Sequence, residues 1–212
     1  MNDFQGLLLA ELATADIRIP LSAEQISLLE GHYQLLTRWN QKINLTSIRS
    51  LRESIARHYC ECLYFASLLA ADVDRSGADP SISVVDAGSG GGFPGIPVAI
   101  YSPGWKVSLV ESDARKAVFL REATRGISNV RVVCERLDRV DGPADWVVSR
   151  AVRAADVLAV VPKLSKRVGL LLSTQGAAEV ERDARMVWSK RSVIPWGVES
   201  VAVFGAFRSV EP

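Results

Sequence analysis

The sequence has few of the residues that build disulfide frameworks and metal centres: its 212 residues include three cysteines and two histidines. Cys60 and Cys62 lie two positions apart, which is not the spacing of a zinc site, and Cys134 leaves no second pair. We therefore expect buried or half-buried thiols in a reducing compartment rather than disulfides or metal ligands. With His32 and His58 as its only histidines, the chain is not expected to hold a multi-histidine metal site, and we predict no metal.

Long apolar runs are also missing, and the first residues do not resemble a leader. No apolar run approaches the roughly 18–20 residues of a membrane-spanning helix. Hydrophobic residues make up 48% of the chain and charged residues 23%, as in ordinary globular proteins. Residues 1–5 carry an acid and no basic stretch, so no secretory signal is expected there. We predict a cytoplasmic protein of one domain with a modest appendage and no membrane partner.

The net charge is small, at +1, but the charges are segregated along the sequence. Residues 1–34 hold five acids against one arginine, whereas residues 35–60 hold five basic residues against one acid, and residues 150–170 repeat that basic excess. Most of these cations are arginines, which make forked contacts with phosphate and stack on bases. The distribution indicates a nucleic-acid face on a nearly neutral protein, with an ordinary solvated surface as the alternative.

Hydrophobic spacing divides the chain into a helical extension, residues 1–75, and an alternating strand–helix core, residues 76–212. A capping-box pattern at residues 22–25 opens a helix that extends to Trp39, and Asp113 is placed to cap a later helix. Strands separated by helices predict a parallel, doubly wound sheet with its ligand at the carboxyl ends of the strands. A final hairpin predicts one antiparallel edge strand. The predicted strands are residues 82–86, 107–111, 130–134, 146–149, 168–173, 192–195 and 201–207, and the last long helix is predicted over residues 177–190.

The most informative segment is residues 84–95, in which an apolar run reaches Asp86 and opens into four glycines within five positions. Such a density of glycine marks a strand-end loop built against a small molecule. A second apolar run ends in Glu111, where an acid meets the ribose hydroxyls of a nucleotide-like ligand. Pro94 and Pro97 remove N–H donors that a pyrophosphate needs, and Asp86 would repel it. A carboxylate suits a ligand with an ammonium and a sulfonium group, which predicts S-adenosylmethionine as the cofactor.

Several motifs extend this interpretation beyond the glycine loop. They are residues 39–46, 57–58, 86–97, 109–112, 116–121 and 149–151. The glycine stretch that ends Phe-Pro-Gly-Ile-Pro and the signature Trp-Asn-x-x-x-Asn-Leu-Thr are specific in combination. Together the motifs resemble the glucose-inhibited division protein B family, the bacterial small-subunit ribosomal RNA guanine-N7 methyltransferases, over most of the chain.

The resemblance implies a class I S-adenosylmethionine-dependent methyltransferase fold. This is a Rossmann-like α/β fold with a doubly wound, mostly parallel seven-stranded sheet and, here, a helical N-terminal extension. The resemblance places Glu111 on the cofactor's ribose, residues 135–138 at its adenine end and Arg150 facing the active site. The cofactor-binding residues so implied are Asp86, Gly88, Ser89, Gly90, Phe93, Glu111, Glu135, Arg136, Leu137 and Arg150.

The activity implied is methyl transfer to N7 of a guanine in 16S ribosomal RNA, with the small ribosomal subunit as partner and the protein acting as a monomer. Guanine N7 has an in-plane lone pair and carries no proton at neutral pH, so the attack needs no general base and catalysis is mostly placement. Enzymes that act on RNA bases clamp extruded bases against aromatic or guanidinium planes. The catalytic candidates for that clamp are Phe93, Arg136 and Arg150, and the candidates for RNA contact are Arg38, Lys42, Asn44, Arg57, His58 and Arg153.

Some of these residues have plainer alternatives. Phe93 could instead close the loop over the cofactor, and Arg136 could pair with Asp138 or Glu135. Trp39, at helical spacing, favours a place in the core, and His58 favours an ordinary helix position over a catalytic one. Two other functions also stay open, a methyltransferase for a small metabolite and a non-catalytic RNA-binding relative of the family.

The chain departs from the family pattern at two places. After the Arg57-His58 pair the family usually has Asp-Ser, whereas this chain has Glu61-Cys62. After the fifth strand the family usually has a lysine, whereas this chain has Gln175. The second change removes a cation from the expected substrate side, while the cofactor motifs are intact.

Overall fold

The computed structural model describes residues 3–75, 81–197 and 199–208. In these three stretches, helices come first and are followed by a seven-stranded sheet with helices on both faces. None of the helices so described has the length and apolarity that crossing a membrane requires.

Residues 3–75 are mainly helical, as their sequence pattern predicts. Ser22 caps the second helix in a capping box, because its hydroxyl accepts from the Gln25 backbone while the Gln25 side chain accepts from the Ser22 backbone. A π-helical turn interrupts the later helix, and such turns recur at functional sites. The elements are α1 Asp3–Thr14, α2 Ala23–Trp39, α3 Leu51–Ser54, the π-helical turn Ile55–Cys60 and α4 Glu61–Arg75.

The strands form one sheet in the order β3-β2-β1-β4-β5-β7-β6. The first five strands are mutually parallel, and β7 is antiparallel to both of its neighbours, so the β6–β7 hairpin forms the antiparallel edge. The predicted α/β fold is confirmed. The strand order reverses between β1 and β4, whose carboxyl ends flank the crevice where such sheets bind ligands. The strands are β1 Ser83–Ala87, β2 Lys106–Val110, β3 Val130–Val133, β4 Trp146–Arg150, β5 Arg167–Ser173, β6 Met186–Val193 and β7 Ser200–Phe207.

The helix predicted over residues 177–190 is wrong beyond Val180. Helix α8 ends at Val180, and a turn closed by the Met186 N–H donating to the Asp183 carbonyl over 3.0 Å leads into β6. From Met186 onward, side chains alternate between buried or half-buried and exposed, which is the period of a strand. Charged and apolar residues are mixed there as on an amphipathic helix, so spacing alone gives the wrong element. The helices of the core are α5 Gly95–Tyr101, α6 Ala114–Ala123, α7 Ala154–Leu164 and α8 Thr174–Val180, and a 3-10 turn covers Leu137–Arg139.

Hydrophobic side chains pack on both faces of the sheet. On one face the helical extension packs together with α5 and α6, and Phe65 of α4 stacks on Phe204 of β7 with ring centroids 5.1 Å apart. On the other face α7 and α8 cover the sheet through residues such as Val157 and Val161. The helical extension therefore shares a core with the sheet and lies against the glycine loop.

Candidate active site

The loop between β1 and α5 is tied to β2 and requires glycine. The backbone N–H groups of Gly88 and Ser89 donate to the Val110 carbonyl over 2.9 and 3.0 Å. Gly88 and Gly90 have φ angles of 74° and 53°, a region that L side chains rarely adopt. A Cβ on Gly88 would lie 2.5 Å from Cγ2 of Val152. The backbone is therefore held open at the carboxyl end of β1, as a ligand-binding loop requires.

Asp86 is fully buried behind this loop. Its Oδ2 accepts a hydrogen bond from the Gly95 N–H over 3.0 Å, whereas its buried Oδ1 has no hydrogen-bond partner in the part of the chain described. Burial raises the pKa of this carboxyl to about 7. A buried carboxylate oxygen without a donor is stabilised by a nearby cation, so the site fits a ligand that carries an ammonium and a sulfonium group.

Glu111 follows β2 and is fixed by two backbone donors. Its Oε2 accepts from the Gly90 N–H over 2.9 Å, and its Oε1 accepts from the Asp113 N–H over 2.8 Å. A carboxylate has about four acceptor positions, so lone pairs remain for two ligand hydroxyls. The side chain thus joins the glycine loop to the start of α6, which Asp113 caps as predicted.

A cavity of about 410 Å³ lies beside the loop, at the carboxyl ends of the strands. Its walls combine apolar groups from β1, β2 and α7 with the polar segment that follows β3. This mixture suits a nucleoside, which has an apolar ring face and polar edges. The lining residues are Ala87, Gly88, Val110, Ser112, Glu135, Arg136, Leu137, Asp138, Val152, Asp156, Val157, Ala159 and Val160.

Three predicted residues from distant parts of the sequence meet next to the glycine loop. The rings of His58 and Phe93 stack with centroids 4.5 Å apart and planes 16° apart. Nη1 of Arg150, at the end of β4, lies 3.4 Å from Nδ1 of His58. The π-helical turn therefore aims His58 at the same point that the loop and β4 reach.

His58 is neutral at pH 7. Burial and, to a smaller extent, the charge of Arg150 lower the pKa of His58 to about 3. Because a guanidinium has only donors, Nδ1 of His58 accepts from Arg150, and Nε2 donates to Oγ1 of Thr46 over 2.7 Å. The plainer interpretation of His58 as an ordinary helix residue therefore misses its contacts with a loop and a strand.

The Trp-Asn-x-x-x-Asn-Leu-Thr signature is organised by its first asparagine. Nδ2 of Asn40 donates to the Thr46 carbonyl over 2.8 Å, and Oδ1 accepts from the N–H groups of Leu45 and Thr46 over 2.9 and 3.1 Å. Asn44, one of the predicted RNA contacts, is exposed on the same turn. The sequence prediction named Asn44 in this segment and gave no role to Asn40.

Three other predicted RNA contacts, Arg38, Lys42 and Arg153, are exposed at the surface. Arg38 and Lys42 are exposed and line a separate surface cavity of about 510 Å³ with half-buried Trp39. Arg153 and Arg136 are exposed and pair with Asp156 at 2.7 Å and Asp138 at 3.4 Å. Surface ion pairs of this kind are weak, so both arginines stay available to a ligand.

Gln175 is exposed at the start of α8, where its amide donates to Glu179 over 3.2 Å.

Three buried polar residues were missed in the sequence. They are His32, Tyr59 and Glu61, which are 2%, 0% and 1% exposed. All three occupy helical positions with the spacing of core residues. His32 contacts the Gly91 carbonyl and Glu61 contacts Arg150. No local motif marks His32 and Tyr59, because their partners lie far away along the chain, and Glu61 stood out only as a departure from the family pattern.

Comparison with known proteins gives a family. The family model described as GidB, rRNA small subunit methyltransferase G, matches residues 25–200. A protein of Stenotrophomonas maltophilia (strain K279a), named ribosomal RNA small subunit methyltransferase G, is 37% identical over 175 residues, which cover 79% of this chain and 78% of that protein. A protein of the same name from Nitrosococcus oceani is 34% identical over 163 residues, covering 74% and 72% of the two chains.

Solved structures share the fold at low identity. Magnesium protoporphyrin IX methyltransferase (ChlM) from Synechocystis PCC 6803, with bound SAM, has a TM-score of 0.59 at 12% identity and covers 90% of this chain and 100% of its own. The 23S rRNA methyltransferase ErmE has a TM-score of 0.50 at 16% identity, covering 70% of this chain and 67% of its own. These similarities establish the methyltransferase fold.

Proposed function

The chain belongs to the GidB family, rRNA small subunit methyltransferase G, and we propose that it transfers a methyl group from S-adenosylmethionine to N7 of a guanine in bacterial 16S ribosomal RNA. The observation that carries this proposal is the cavity at the β1–β4 crevice, bordered by the glycine loop and by residues 135–138 and lying beside the fixed carboxylate of Glu111. The enzyme is an S-adenosylmethionine-dependent rRNA methyltransferase, and the choice of N7 rests on the sequence resemblance and on the chemistry that the site offers.

The residues around the cavity suit the parts of the cofactor. S-Adenosylmethionine, when bound, supplies an electrophilic methyl group on a positively charged sulfur. Glu111 would accept the ribose hydroxyls with the lone pairs that Gly90 and Asp113 leave unused. Residues 135–138 would border the adenine, and the buried charge of Asp86 favours the cationic end.

The residues of this chain contribute to catalysis by placing the target base against the methyl group of the cofactor. Guanine N7 attacks through a lone pair that carries no proton, so the reaction needs no general base, and neutral His58 is suited to packing rather than to proton transfer. Arg150 and Phe93 lie beside the glycine loop, where a guanidinium plane and an aromatic ring would clamp an extruded base. Arg136, on the cavity rim, is the third clamp candidate.

The partner we propose is the small ribosomal subunit or its RNA, bound by the protein as a monomer in the cytoplasm. Arg38, Lys42, Asn44 and Arg153 are exposed, and Arg57 is half-buried beside His58. Arginine and lysine contacts to phosphate release counterions, which makes RNA binding steeply dependent on salt. A small metabolite has no such phosphate chain, so salt dependence separates the two substrate classes.

The test is transfer of label from S-adenosylmethionine to unmethylated 16S RNA and to small subunits, followed by nucleoside analysis. We expect label in 7-methylguanosine, at a rate that falls steeply with salt. The Arg38→Gln/Lys42→Gln double variant should reduce the salt slope by up to about two, one for each lost phosphate contact. Arg185→Gln, which changes an exposed arginine paired with Asp183, serves as the control and should keep the slope.

Two outcomes would overturn the proposal. A transfer rate that does not change with salt would favour a small-metabolite substrate. Cofactor binding without transfer to any form of the RNA would favour a non-catalytic RNA-binding protein.

A further inference from the structure

A buried carboxylate lies between two arginines next to the candidate active site. Glu61 is 1% exposed. Its Oε1 accepts a hydrogen bond from Nε of Arg57 over 2.6 Å, and its Oε2 forms an ion pair with Nη2 of Arg150 at 3.0 Å. Both carboxylate oxygens are therefore committed to guanidinium groups, one from its own helical segment and one from β4.

The β6–β7 hairpin closes over this carboxylate. A Cβ on Gly197, in the hairpin turn, would lie 2.6 Å from Oε1 of Glu61, so only glycine fits there. Ser200, at the start of β7, lies against the same turn, because that Cβ would also collide with its Oγ. The hairpin thus keeps water from the Glu61 carboxylate, which strengthens its pairing with the largely buried Arg150, whereas the Arg57 side chain stays 33% exposed.

The guanidinium of Arg150 is held almost entirely by the helical extension. The side chain is 15% exposed. Nη1 lies 3.4 Å from Nδ1 of His58 and 3.5 Å from Sγ of Cys62, whereas Nη2 bonds Glu61. Of these three partners, only Glu61 carries a charge, so it supplies most of the force that fixes the guanidinium plane.

We propose that Glu61 is a positioning residue for methyl transfer, which holds the Arg150 guanidinium at the angle needed to clamp the target base. This inference rests on the proposed function, in which Arg150 touches the base. A carboxylate with one oxygen on each of two arginines also sets the distance between Arg57, on the RNA side, and Arg150 at the base. RNA binding and base placement are then mechanically linked through one side chain.

Two substitutions separate charge from shape. Glu61→Gln keeps the size of the side chain but removes its charge, so one guanidinium meets an amide N–H₂ group and turns away. We expect kcat to fall by about 10- to 100-fold, because small misplacements of reacting groups slow a reaction that depends on their orientation. The KM for S-adenosylmethionine should change by less than about threefold. Glu61→Asp keeps the charge on a shorter side chain and should restore kcat to within about fivefold of wild type.

A double-variant comparison distinguishes positioning from a structural role. If Glu61 acts through Arg150, then adding Glu61→Gln to Arg150→Ala causes no further loss of kcat. Glu181→Gln is the matched control, because Glu181 pairs with Arg191 at 3.0 Å on the other side of the fold and its loss should leave kcat unchanged. Wild-type kcat in Glu61→Gln, or losses that multiply in the double variant, would overturn the inference.

A second readout does not need activity. Side-chain NMR of arginine reports whether the Arg150 guanidinium rotates freely, and we expect slow rotation in wild type and Glu61→Asp but fast rotation in Glu61→Gln. Equal rotation in all three proteins would overturn the inference even if no RNA were methylated. A wild-type protein with slow rotation but no methyl transfer would instead count against the proposed function alone.

Discussion

His32 donates a hydrogen bond from Nε2 to the Gly91 carbonyl over 2.9 Å, so a side chain of helix α2 holds the glycine loop from behind. A carbonyl oxygen only accepts, which fixes the proton on Nε2 and leaves Nδ1 to accept from the Tyr59 hydroxyl over 3.0 Å. Burial lowers the pKa of His32 to about 4, so the ring is neutral at pH 7. The helical extension therefore takes part in shaping the cofactor loop.

Replacing His32 by phenylalanine should loosen that loop. The substitution keeps an aromatic ring but leaves the Gly91 carbonyl and the Tyr59 hydroxyl without this partner, at a cost of about 1–3 kcal/mol in the free energy of unfolding. We also expect weaker S-adenosylmethionine binding. Urea unfolding and calorimetry measure both effects, with exposed Gln34→Ala in the same helix as the control. Unchanged stability and affinity in His32→Phe would show that the bond to Gly91 is dispensable.

The stability of the protein should rise with pH in mildly acidic solution. His32 and His58 bind protons in the unfolded chain below their usual pKa of 6.5, but in the folded protein burial lowers their pKa values to about 4 and about 3. Asp86 acts in the opposite sense, because burial raises its folded pKa from 3.8 to about 7. Taken together, the two histidines and Asp86 bind about one more proton in the unfolded chain than in the folded protein. Glu61 opposes the rise as well, because burial raises its folded pKa. The free energy of unfolding should therefore increase by up to about 1.4 kcal/mol per pH unit between about pH 4.5 and 6.

Variants of these residues test the sign and the size of that slope. His32→Phe removes one of the two histidine contributions, so its slope should be lower than that of the wild type by about 1.4 kcal/mol per pH unit over the same range. Asp86→Asn removes an opposing contribution, so its slope should be higher than that of the wild type by about the same amount. Urea unfolding at several pH values gives all three slopes. Stability that falls with pH in the wild-type protein would contradict the account.

Shortening Phe93 should impair catalysis more than folding. Phe93→Leu removes the stack on His58 and the edge contact with Tyr59, whose centroid lies 5.5 Å away. The proposed stack of the Phe93 ring on the target base is an aromatic pair worth about 0.5–1.5 kcal/mol, so its loss should lower kcat by about three- to tenfold at saturating RNA. Phe4→Leu, which changes another buried ring that touches Tyr59, should lower the thermal midpoint without changing kcat. An equal fall in kcat for both variants would assign Phe93 a packing role only.

Removing the Glu111 carboxylate should weaken cofactor binding. Glu111→Ala loses the proposed ribose hydrogen bonds as well as the support of Gly90 and Asp113. The loss should be about 1–3 kcal/mol in binding free energy, measured by calorimetry with S-adenosylmethionine. Glu122→Ala, a half-buried acid on α6 paired with Arg125, is the control. If Glu111→Ala binds as tightly as wild type, the ribose assignment fails.

Local patterns predicted the parts of the structure that local physics decides. The capping box at Ser22, the cap at Asp113 and the strand–loop–helix order around Gly88 all follow from a few neighbouring residues. The helix predicted across Met186 failed because an edge strand that is exposed on one side carries the same mixture of residues as an amphipathic helix.

The supporting contacts of the site lay beyond sequence reasoning. His32 reaches Gly91 across 59 positions of sequence, and Arg150 reaches His58 across 92. Glu61 pairs with Arg150 only because β4 ends next to the π-helical turn. Such contacts depend on how the helical extension packs on the sheet, which no spacing rule specifies.

The most direct test of the central claim is nucleoside mass spectrometry of 16S ribosomal RNA from cells that lack this protein. The account predicts that one 7-methylguanosine disappears from the RNA and returns when the wild-type protein is supplied, but not when Glu111→Ala is supplied at equal abundance. An unchanged 7-methylguanosine content in cells without the protein would contradict it.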